Sequence, residues 1–218
     1  MRYYTFLISI AIGTALLLIS CFGEQEVADD KLDILGEKEI IDGEEIVHTI
    51  PDFTFMNQDS MMVSNEDFDD KIYLVDFFFT SCPTICPKMT KQLQRVYEEF
   101  EGHPHVAILS HSIDTRRDSV PRLRTYAENI GVMNADQWHF VTGDKDAIFE
   151  IADDYFSVAI EDGDAAGGFD HSGRFILVDP DGRVRAFADG TNPEEVDRMM
   201  LDMKKLLAEY DYSPDASS

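Results

Sequence analysis

The chain has 218 residues, enough for one domain with additional segments, and its 44% hydrophobic and 28% charged residues are ordinary for a globular protein. Its formal net charge of −25 argues against nucleic acids and anionic lipid head groups as partners, because both require a basic surface. A basic protein or a cationic ligand suits this charge better, and the simplest alternative is that the acidic residues only keep the protein soluble.

Residues 1–20 have the pattern of a targeting segment. Arg2 is followed by an uncharged apolar stretch over residues 6–19, which is shorter than the roughly 20 residues that a membrane-spanning helix needs. The sequence Leu18-Ile19-Ser20-Cys21 then resembles the lipobox of bacterial lipoproteins, in which the signal is cleaved before a cysteine that becomes acylated. This resemblance implies a signal peptide over residues 1–20 and lipidation of Cys21.

Two alternatives to the lipobox remain open. The segment could be an uncleaved signal anchor, or an ordinary signal peptide after which Cys21 is incidental. All three interpretations place the domain outside the cytoplasm. With lipidation, we expect the protein in the cell envelope of a bacterium, held at a membrane by its lipid anchor, with the domain facing the periplasm or the outside.

Residues 21–46 are predicted to form an acidic, solvated tether. They contain ten acidic residues and only two lysines, and no helical stripe of apolar residues persists there. Apolar residues at 40–41 and 46–47 are placed to begin a strand near the end of the tether. The folded domain is expected over residues 47–212, with a disordered tail at 213–218.

From His48 onwards the pattern alternates between strands and helices. Strands are predicted where β-branched and aromatic residues cluster, and helices where apolar residues recur at spacings of three and four. The predicted strands cover residues 50–55, 71–79, 105–113, 138–141, 156–160, 172–178 and 183–187. The predicted helices cover residues 86–100, 118–130 and 143–152, and a last one follows the Asn192-Pro193-Glu194-Glu195 start signal.

This alternation indicates an α/β domain with a central sheet and helices on both faces. A cysteine pair that opens the first helix, together with a final hairpin and helix, resembles a thioredoxin-like fold: a central mixed sheet flanked by helices, here with an N-terminal strand extension. The last helix carries Met199, Met200 and Met203 at helical spacing. We interpret these methionines as core residues rather than as a methionine copper site.

Cys82 and Cys86 are the candidate functional residues. Residues four apart share one face of a helix, and Pro83 is tolerated in a loop or first turn, so both thiols are expected where the strand ends and the helix begins. A helix N-terminus lowers the pKa of a thiol, and a thiolate is both a nucleophile and a soft metal ligand. The pair could therefore exchange electrons as a disulfide, hold a metal, or do both.

Two thiolates form an incomplete metal site that favours copper(I) or zinc, and a histidine is the expected third ligand. His171 is preferred because it lies just before the final hairpin, which in thioredoxin-like folds is beside the cysteine loop. Redox members of that superfamily usually carry a cis-proline there, whereas this chain has Phe169-Asp170-His171-Ser172. The other candidates are His48, His103, His105, His111 and His139.

With these residues the chain resembles the Sco/SenC family of copper-binding, thioredoxin-like proteins. The matching motifs are Phe79-Thr80-Ser81-Cys82-Pro83-Thr84-Ile85-Cys86-Pro87, Ser112-Ile113-Asp114-Thr115-Arg116-Arg117-Asp118, Trp138-His139-Phe140-Val141-Thr142-Gly143, and Asp170-His171-Ser172 followed by Val178-Asp179-Pro180-Asp181-Gly182. They occur in family order over roughly residues 48–208. The second motif departs from the family, which commonly has proline where this chain has Thr115.

The resemblance implies one copper ion, Cu(I) or Cu(II), bound by Cys82, Cys86 and His171. Asp170 would orient His171 or lie near the metal, and Asp114 is a weaker candidate for such a role. The implied function is loading of the binuclear copper site of cytochrome c oxidase, as a metallochaperone, as a thiol reductant of the oxidase subunit, or both. The implied partners are the copper-binding subunit of the oxidase and other copper chaperones or a thiol reductant.

The main alternative is an exported thiol–disulfide oxidoreductase that uses Cys82 and Cys86 in redox homeostasis without copper. A peroxidase fits less well, because in thioredoxin-like peroxidases the nucleophilic cysteine usually stands alone at the helix start. A metallochaperone is preferred over a catalyst.

Overall fold

The computed structural model describes residues 31–41, 43–133 and 135–212. Four α-helices occur in this part of the chain: α1 (Cys86–Glu99), α2 (Val120–Asn129), α3 (Lys145–Asp154) and α4 (Pro193–Glu209), with a short 3-10 helix at Asn65–Phe68. The strands there are β1 (Lys38–Ile41), β2 (Glu44–Val47), β3 (Thr54–Asn57), β4 (Met62–Ser64), β5 (Ile72–Phe78), β6 (Val106–Ser112), β7 (Trp138–Thr142), β8 (Ala159–Glu161), β9 (Phe169–His171), β10 (Arg174–Val178) and β11 (Val184–Asp189).

A seven-stranded mixed sheet forms the centre of the domain, in the order β11-β10-β5-β6-β7-β3-β4. The strands β5, β6 and β7 are parallel, and the outer strands pair antiparallel. Every residue of β5 and β6 is buried, which agrees with the largely apolar and aromatic character of these segments. The predicted α/β, thioredoxin-like fold with a central mixed sheet is confirmed.

The parallel strands place their C-terminal ends at one edge of the sheet. The loop after β5 therefore leads directly into α1, whose first residue is Cys86. Pro87 is tolerated in the first turn because the backbone N–H that proline lacks has no partner within a helix there. This connection positions both cysteines.

The first predicted strand of the domain is shifted along the chain. Strand pairing begins at Thr54, because β3 pairs with β4 and β7 through residues 54–57, whereas 50–53 pair with no strand. The final hairpin and last helix agree with the prediction. Met199 and Met203 are buried in the core and Met200 is half-buried, as the helical spacing indicated.

Residues 31–41 and 43–46, which the composition assigned to the tether, include segments that contact the rest of the domain. Leu32 and Leu35 pack against the core, and the Leu35 amide donates to the Val184 carbonyl at 2.8 Å. The guanidinium of Arg185 donates to the backbone carbonyls of Leu32 and Asp33. These few apolar contacts and one buried arginine offset the acidic composition of the segment.

The predicted strand near the end of this segment is present as the antiparallel pair β1–β2. The compact unit that contains the sheet begins at Lys31. The expected signal peptide, Cys21 and the expected tail at 213–218 lie outside the described residues. Among the described residues, no helix is both long enough and apolar enough to cross a bilayer.

Candidate metal centre

The loop between β5 and α1 holds the two cysteines at the surface of the core. The Cys82 amide donates to the Phe79 carbonyl at 3.1 Å, and this turn directs the loop back towards the helix start. Cys86 is the more deeply buried residue, with 3% of its surface exposed against 9% for Cys82. Both are free thiols.

His171 reaches the cysteines from the small hairpin β8–β9, where Ala159 pairs with His171. The ring of Phe79 packs against Phe169 and, edge-on, against His171, with centroids 5.2 and 5.8 Å apart. Gly167 allows this approach, because a Cβ atom there would lie 2.7 Å from the Phe79 ring and its φ of +90° disfavours other residues. Aromatic packing therefore positions the histidine over the cysteine loop.

The three side chains converge on one point. The Nε2 atom of His171 lies 3.4 Å from Cys86 Sγ and 4.0 Å from Cys82 Sγ, and all three candidate ligand atoms lie within 4.8 Å of one another. Two sulfurs and one imidazole nitrogen are soft donors of the kind that Cu(I) prefers. His171 Nδ1 is buried without a hydrogen-bond partner, so the ring is directed at the thiols through Nε2.

The two thiols differ in acidity. Burial raises the pKa of Cys82, but hydrogen bonds from His171, Cys86 and backbone amides outweigh this effect and lower it to about 6. Burial raises the pKa of Cys86 well above its usual range, and its hydrogen bond to Cys82 raises it further. At neutral pH these opposite shifts favour Cys82 over Cys86 as the thiolate.

Asp118 fixes the start of the cysteine loop. Its fully buried carboxylate accepts hydrogen bonds from the Thr80 amide at 2.9 Å, the Thr80 hydroxyl at 2.5 Å and the Ser112 hydroxyl at 2.7 Å. Arg122 lies 3.3 Å from the same carboxylate. Sequence reasoning missed this role, because Asp118 was only the expected start of a helix. The available signal was its position four residues after Asp114 in the second motif.

Asp76 is a second buried carboxylate that sequence reasoning missed. It lies in β5 and accepts a hydrogen bond from the Ser110 hydroxyl. Burial raises the pKa of Asp76 to about 7, although the bond from Ser110 opposes this shift. Its negative charge also raises the pKa of Cys86. The signal in the sequence is a single acid within an otherwise apolar strand.

Asp170 and Asp114, the predicted supporting residues of the metal, lie where neither forms a hydrogen bond to His171 Nδ1. Asp170 is exposed, and successive strand side chains point to opposite faces, so it does not bond to the buried Nδ1 of His171. Asp114 is buried, but its carboxylate pairs with Arg117 at 3.0 Å. Its second oxygen has no hydrogen-bond partner, so Asp114 makes no such bond to the cysteines or His171.

The other histidines lie outside this cluster. His48 bonds to the Asp154 carbonyl, His105 bonds to the Asp70 carbonyl, and the His105 amide donates to His103. His111 and His139 are buried core residues, as expected for histidines within strands. Within the described residues, Cys82, Cys86 and His171 are the group of His, Cys, Asp and Glu side chains whose ligand atoms lie close enough together to hold a metal ion.

The fold and this site define a class of protein: a thioredoxin-like domain whose helix-start cysteine pair faces a histidine from a late hairpin. The sequence model of the SCO1/SenC family matches residues 42–208. The chain belongs to the SCO1/SenC family, and the resemblance stated from its motifs is confirmed.

Individual relatives agree with this assignment. The SCO1 protein homolog of Bacillus subtilis (strain 168) is 32% identical over 159 residues, which cover 72% of this chain and 82% of the relative. The solved structure of BsSco, a member of the Sco family of cytochrome c oxidase assembly proteins with a disulfide switch, is 30% identical with a TM-score of 0.66, covering 81% and 97% of the two chains. A SCO1/SenC family lipoprotein from Bacillus anthracis str. Ames is 26% identical with a TM-score of 0.64, covering 72% and 94%.

Proposed function

We propose that this protein binds copper through Cys82, Cys86 and His171 and delivers it to the binuclear copper site of cytochrome c oxidase. The observation that carries the proposal is the convergence of two thiols and one imidazole within 4.8 Å at the mouth of the β5–α1 loop. Such a soft donor set suits Cu(I), and the copper ion is then the cargo of the protein. The membership of BsSco in a family of oxidase assembly proteins supports an oxidase as the destination.

A second candidate role is reduction of the thiols of the oxidase subunit. Its support is the acidity of Cys82, whose pKa near 6 makes it a thiolate at neutral pH. That thiolate would attack a partner disulfide and form a mixed disulfide, which frees the first partner thiol. Cys86 would then attack the mixed disulfide, close an intramolecular disulfide with Cys82 and free the second partner thiol. The disulfide switch described for BsSco is consistent with such chemistry in a relative. The same cysteines would serve an exported oxidoreductase that acts without copper.

The proposal includes a lipid anchor at Cys21. This anchor holds the protein at a membrane, with the domain facing the periplasm or the outside. Its support is the Leu18-Ile19-Ser20-Cys21 sequence, and the Bacillus anthracis relative is likewise a lipoprotein. Mass spectrometry of the chain from membranes tests it: an acylated N-terminal Cys21 is expected, and an intact Met1 or an unmodified Cys21 would contradict it.

A transfer experiment separates delivery from reduction. The full chain, loaded with one Cu(I), is mixed anaerobically with the reduced, copper-free copper-binding domain of the oxidase subunit, and the copper content of each protein is measured by atomic absorption after separation. The copper-free, reduced chain is mixed in parallel with the oxidised domain, and free thiols are counted. Copper transfer supports delivery, and disulfide reduction without copper transfer favours the second role. The absence of both copper transfer and disulfide reduction would overturn both roles.

A further inference from the structure

Two methionines lie opposite each other on the outside of the β3–β4 hairpin, at the edge of the sheet. The register of β3 and β4 pairs Met56 with Met62, and the adjacent pair of Phe55 and Val63 is buried. Because successive strand side chains point to opposite faces, Met56 and Met62 share the outer face. There 38% and 56% of their respective surfaces are exposed, so the core does not account for either side chain.

The backbone places both thioethers within reach of one ion. Residues directly opposite each other in an antiparallel pair have Cβ atoms about 4.5–5.5 Å apart. A methionine side chain has three rotatable bonds, so the two sulfur atoms can approach the same point above the hairpin. Thioether sulfur is a soft ligand that selects Cu(I) over the harder divalent ions.

The hairpin is held rigidly by its turn. Buried Asn57 accepts hydrogen bonds at its Oδ1 atom from the amides of Asp59 and Met61, both at 2.9 Å, and its own amide donates to the Met61 carbonyl. Gln58 is also buried and bonds to the backbone of Trp138 and Phe140 in β7. The Cα positions of the methionine pair are therefore fixed before any ion binds.

The position of the pair on the sheet is also unusual. β4 is an edge strand, and edge strands commonly carry charged side chains that prevent further strand pairing. Here the outward-facing cross-strand pair consists of two uncharged thioethers instead. The chain as a whole has a charge of −25, so a monovalent cation that approaches this surface is attracted by the protein's field.

We propose that Met56 and Met62 form a second, surface-exposed Cu(I) site, separate from the cysteines and His171. Three inter-strand spacings, together about 14 Å, separate β3 from β5, the strand that leads to the cysteine loop. Neutral thioethers bind Cu(I) less tightly than thiolates do, so this pair releases the ion more readily than the buried site. It can accept Cu(I) from solution or from a carrier without occupying the cysteines.

The test measures Cu(I) binding in the full chain with Cys21, Cys82 and Cys86 replaced by serine, by anaerobic competition with bicinchoninate. We expect Met56→Leu and Met62→Leu each to weaken the remaining Cu(I) binding by about 10-fold or more, since even outer partners of a metal site contribute 10- to 100-fold. Leucine preserves apolarity and approximate volume and removes only the sulfur, so an apolar docking surface would be retained.

Met61→Leu is the matched control. Met61 lies on the same hairpin and is 62% exposed, but it bonds across the turn to Asn57 and is not part of the outward pair. Its variant is expected to bind Cu(I) as the parent does. Equal loss in Met61→Leu, or unchanged binding in the Met56→Leu/Met62→Leu double variant, would overturn the assignment.

A second measurement keeps Cys82 and Cys86 native and replaces only Cys21 by serine. With one equivalent of Cu(I) bound to this reduced chain, silver(I) is added as a redox-inert substitute while the methionine methyl resonances are followed by carbon-13 NMR. The Met56 and Met62 methyl signals are expected to shift first, with exposed Met133 unchanged. Equal shifts for all exposed methionines would contradict a specific site, and this outcome is independent of copper delivery by the cysteines.

Discussion

The carboxylate of Asp118 accepts hydrogen bonds from both the amide and the hydroxyl of Thr80, two residues before Cys82. The two residues are 38 positions apart in the chain and lie at the ends of adjacent parallel strands. Asp118 thus links the segment after β6 to the cysteine loop after β5. The buried carboxylate of Asp118 therefore holds the loop that carries Cys82.

Replacement of Asp118 by asparagine should weaken copper binding. Asparagine has one acceptor oxygen, so it cannot accept all the bonds from Thr80 and Ser112 that the carboxylate accepts. We expect a loss of about 10- to 100-fold in Cu(I) affinity, measured by competition with a chromophoric ligand. Asp144→Ala is the control, because it removes the N-cap of α3 and about 1 kcal/mol of stability without contacting the site. An equal loss of Cu(I) affinity in both variants would show that the effect comes from lower stability alone.

The cysteines should react with alkylating agents in a fixed order. Because the pKa of Cys82 is lowered to about 6 and that of Cys86 is raised, Cys82 should be modified by iodoacetamide at neutral pH while Cys86 is protected. Peptide mapping by mass spectrometry of the reduced, copper-free chain at a series of pH values measures the extent of modification of each thiol. In His171→Ala, the midpoint for Cys82 should move to higher pH, since the hydrogen bond from His171 lowers its pKa. Equal rates for both thiols would be inconsistent with this account.

His111 should make the protein sensitive to acid. Both ring nitrogens are buried without hydrogen-bond partners among Phe55, Phe77 and Tyr155, and burial lowers the pKa of His111 to about 3. The unfolded chain binds a proton near pH 6.5 and the folded protein does not, so stability is retained above that pH and is lost as the pH falls towards 3. Between these two pH values, the free energy of unfolding should fall by about 1.4 kcal/mol per pH unit because of this histidine.

The His111→Phe variant tests this prediction, because phenylalanine fills the aromatic cluster and cannot bind a proton. Urea unfolding between pH 7 and 4 should show a shallower loss of stability for the variant than for the parent chain. His139 contributes a similar slope, since burial lowers its pKa to about 4, and it remains in both proteins. Parallel stability curves for the two proteins would show that His111 does not titrate on unfolding.

Arg185 should hold residues 31–47 on the domain. Its buried guanidinium pairs with Asp179 at 2.9 Å and with Glu209 at 2.6 Å, in addition to the carbonyls of Leu32 and Asp33. Arg185→Met should cost about 1–3 kcal/mol in urea unfolding, because the buried carboxylate of Asp179 loses one partner while Arg183 still pairs with it at 2.9 Å. Protease cleavage within residues 31–47 should also increase.

Lys38→Ala is the matched control for Arg185. Lys38 forms an exposed ion pair with Glu45 in the same N-terminal segment, and such pairs contribute about 0–1 kcal/mol. A similar loss of stability in both variants would argue against a special role for Arg185.

The central sheet, the cysteine loop and His171 were predictable from the sequence because each has a local signal. Apolar strands alternate with amphipathic helices, the two cysteines have helical spacing, and His171 directly precedes a hairpin with a clear turn. The motif order over roughly residues 48–208 then indicated the family, whose sequence model matches residues 42–208. Local patterns of this kind determine elements and their order.

The supporting contacts were not predictable, because they join residues that are distant in the chain. Asp118 bonds to Thr80, and Arg185 bonds to Leu32 and Asp33, 153 and 152 positions away. No periodicity marks such pairs. The acidic composition before residue 47 suggested solvated chain, whereas a buried arginine and two leucines connect residues 32–35 to the rest of the domain. Asp170 was assigned by adjacency to His171, although strand alternation directs it to the opposite face.

The most direct test of the central claim is the stoichiometry and affinity of Cu(I) binding to the reduced full chain under anaerobic conditions, beside Cys82→Ser/Cys86→Ser and His171→Ala. We predict one tightly bound copper in the native chain and a loss of that tight binding in both variants, with His139→Ala, a buried histidine outside the cluster, retaining it. Tight copper binding that persists in His171→Ala, or its absence from the reduced native chain, would contradict the proposed three-ligand site.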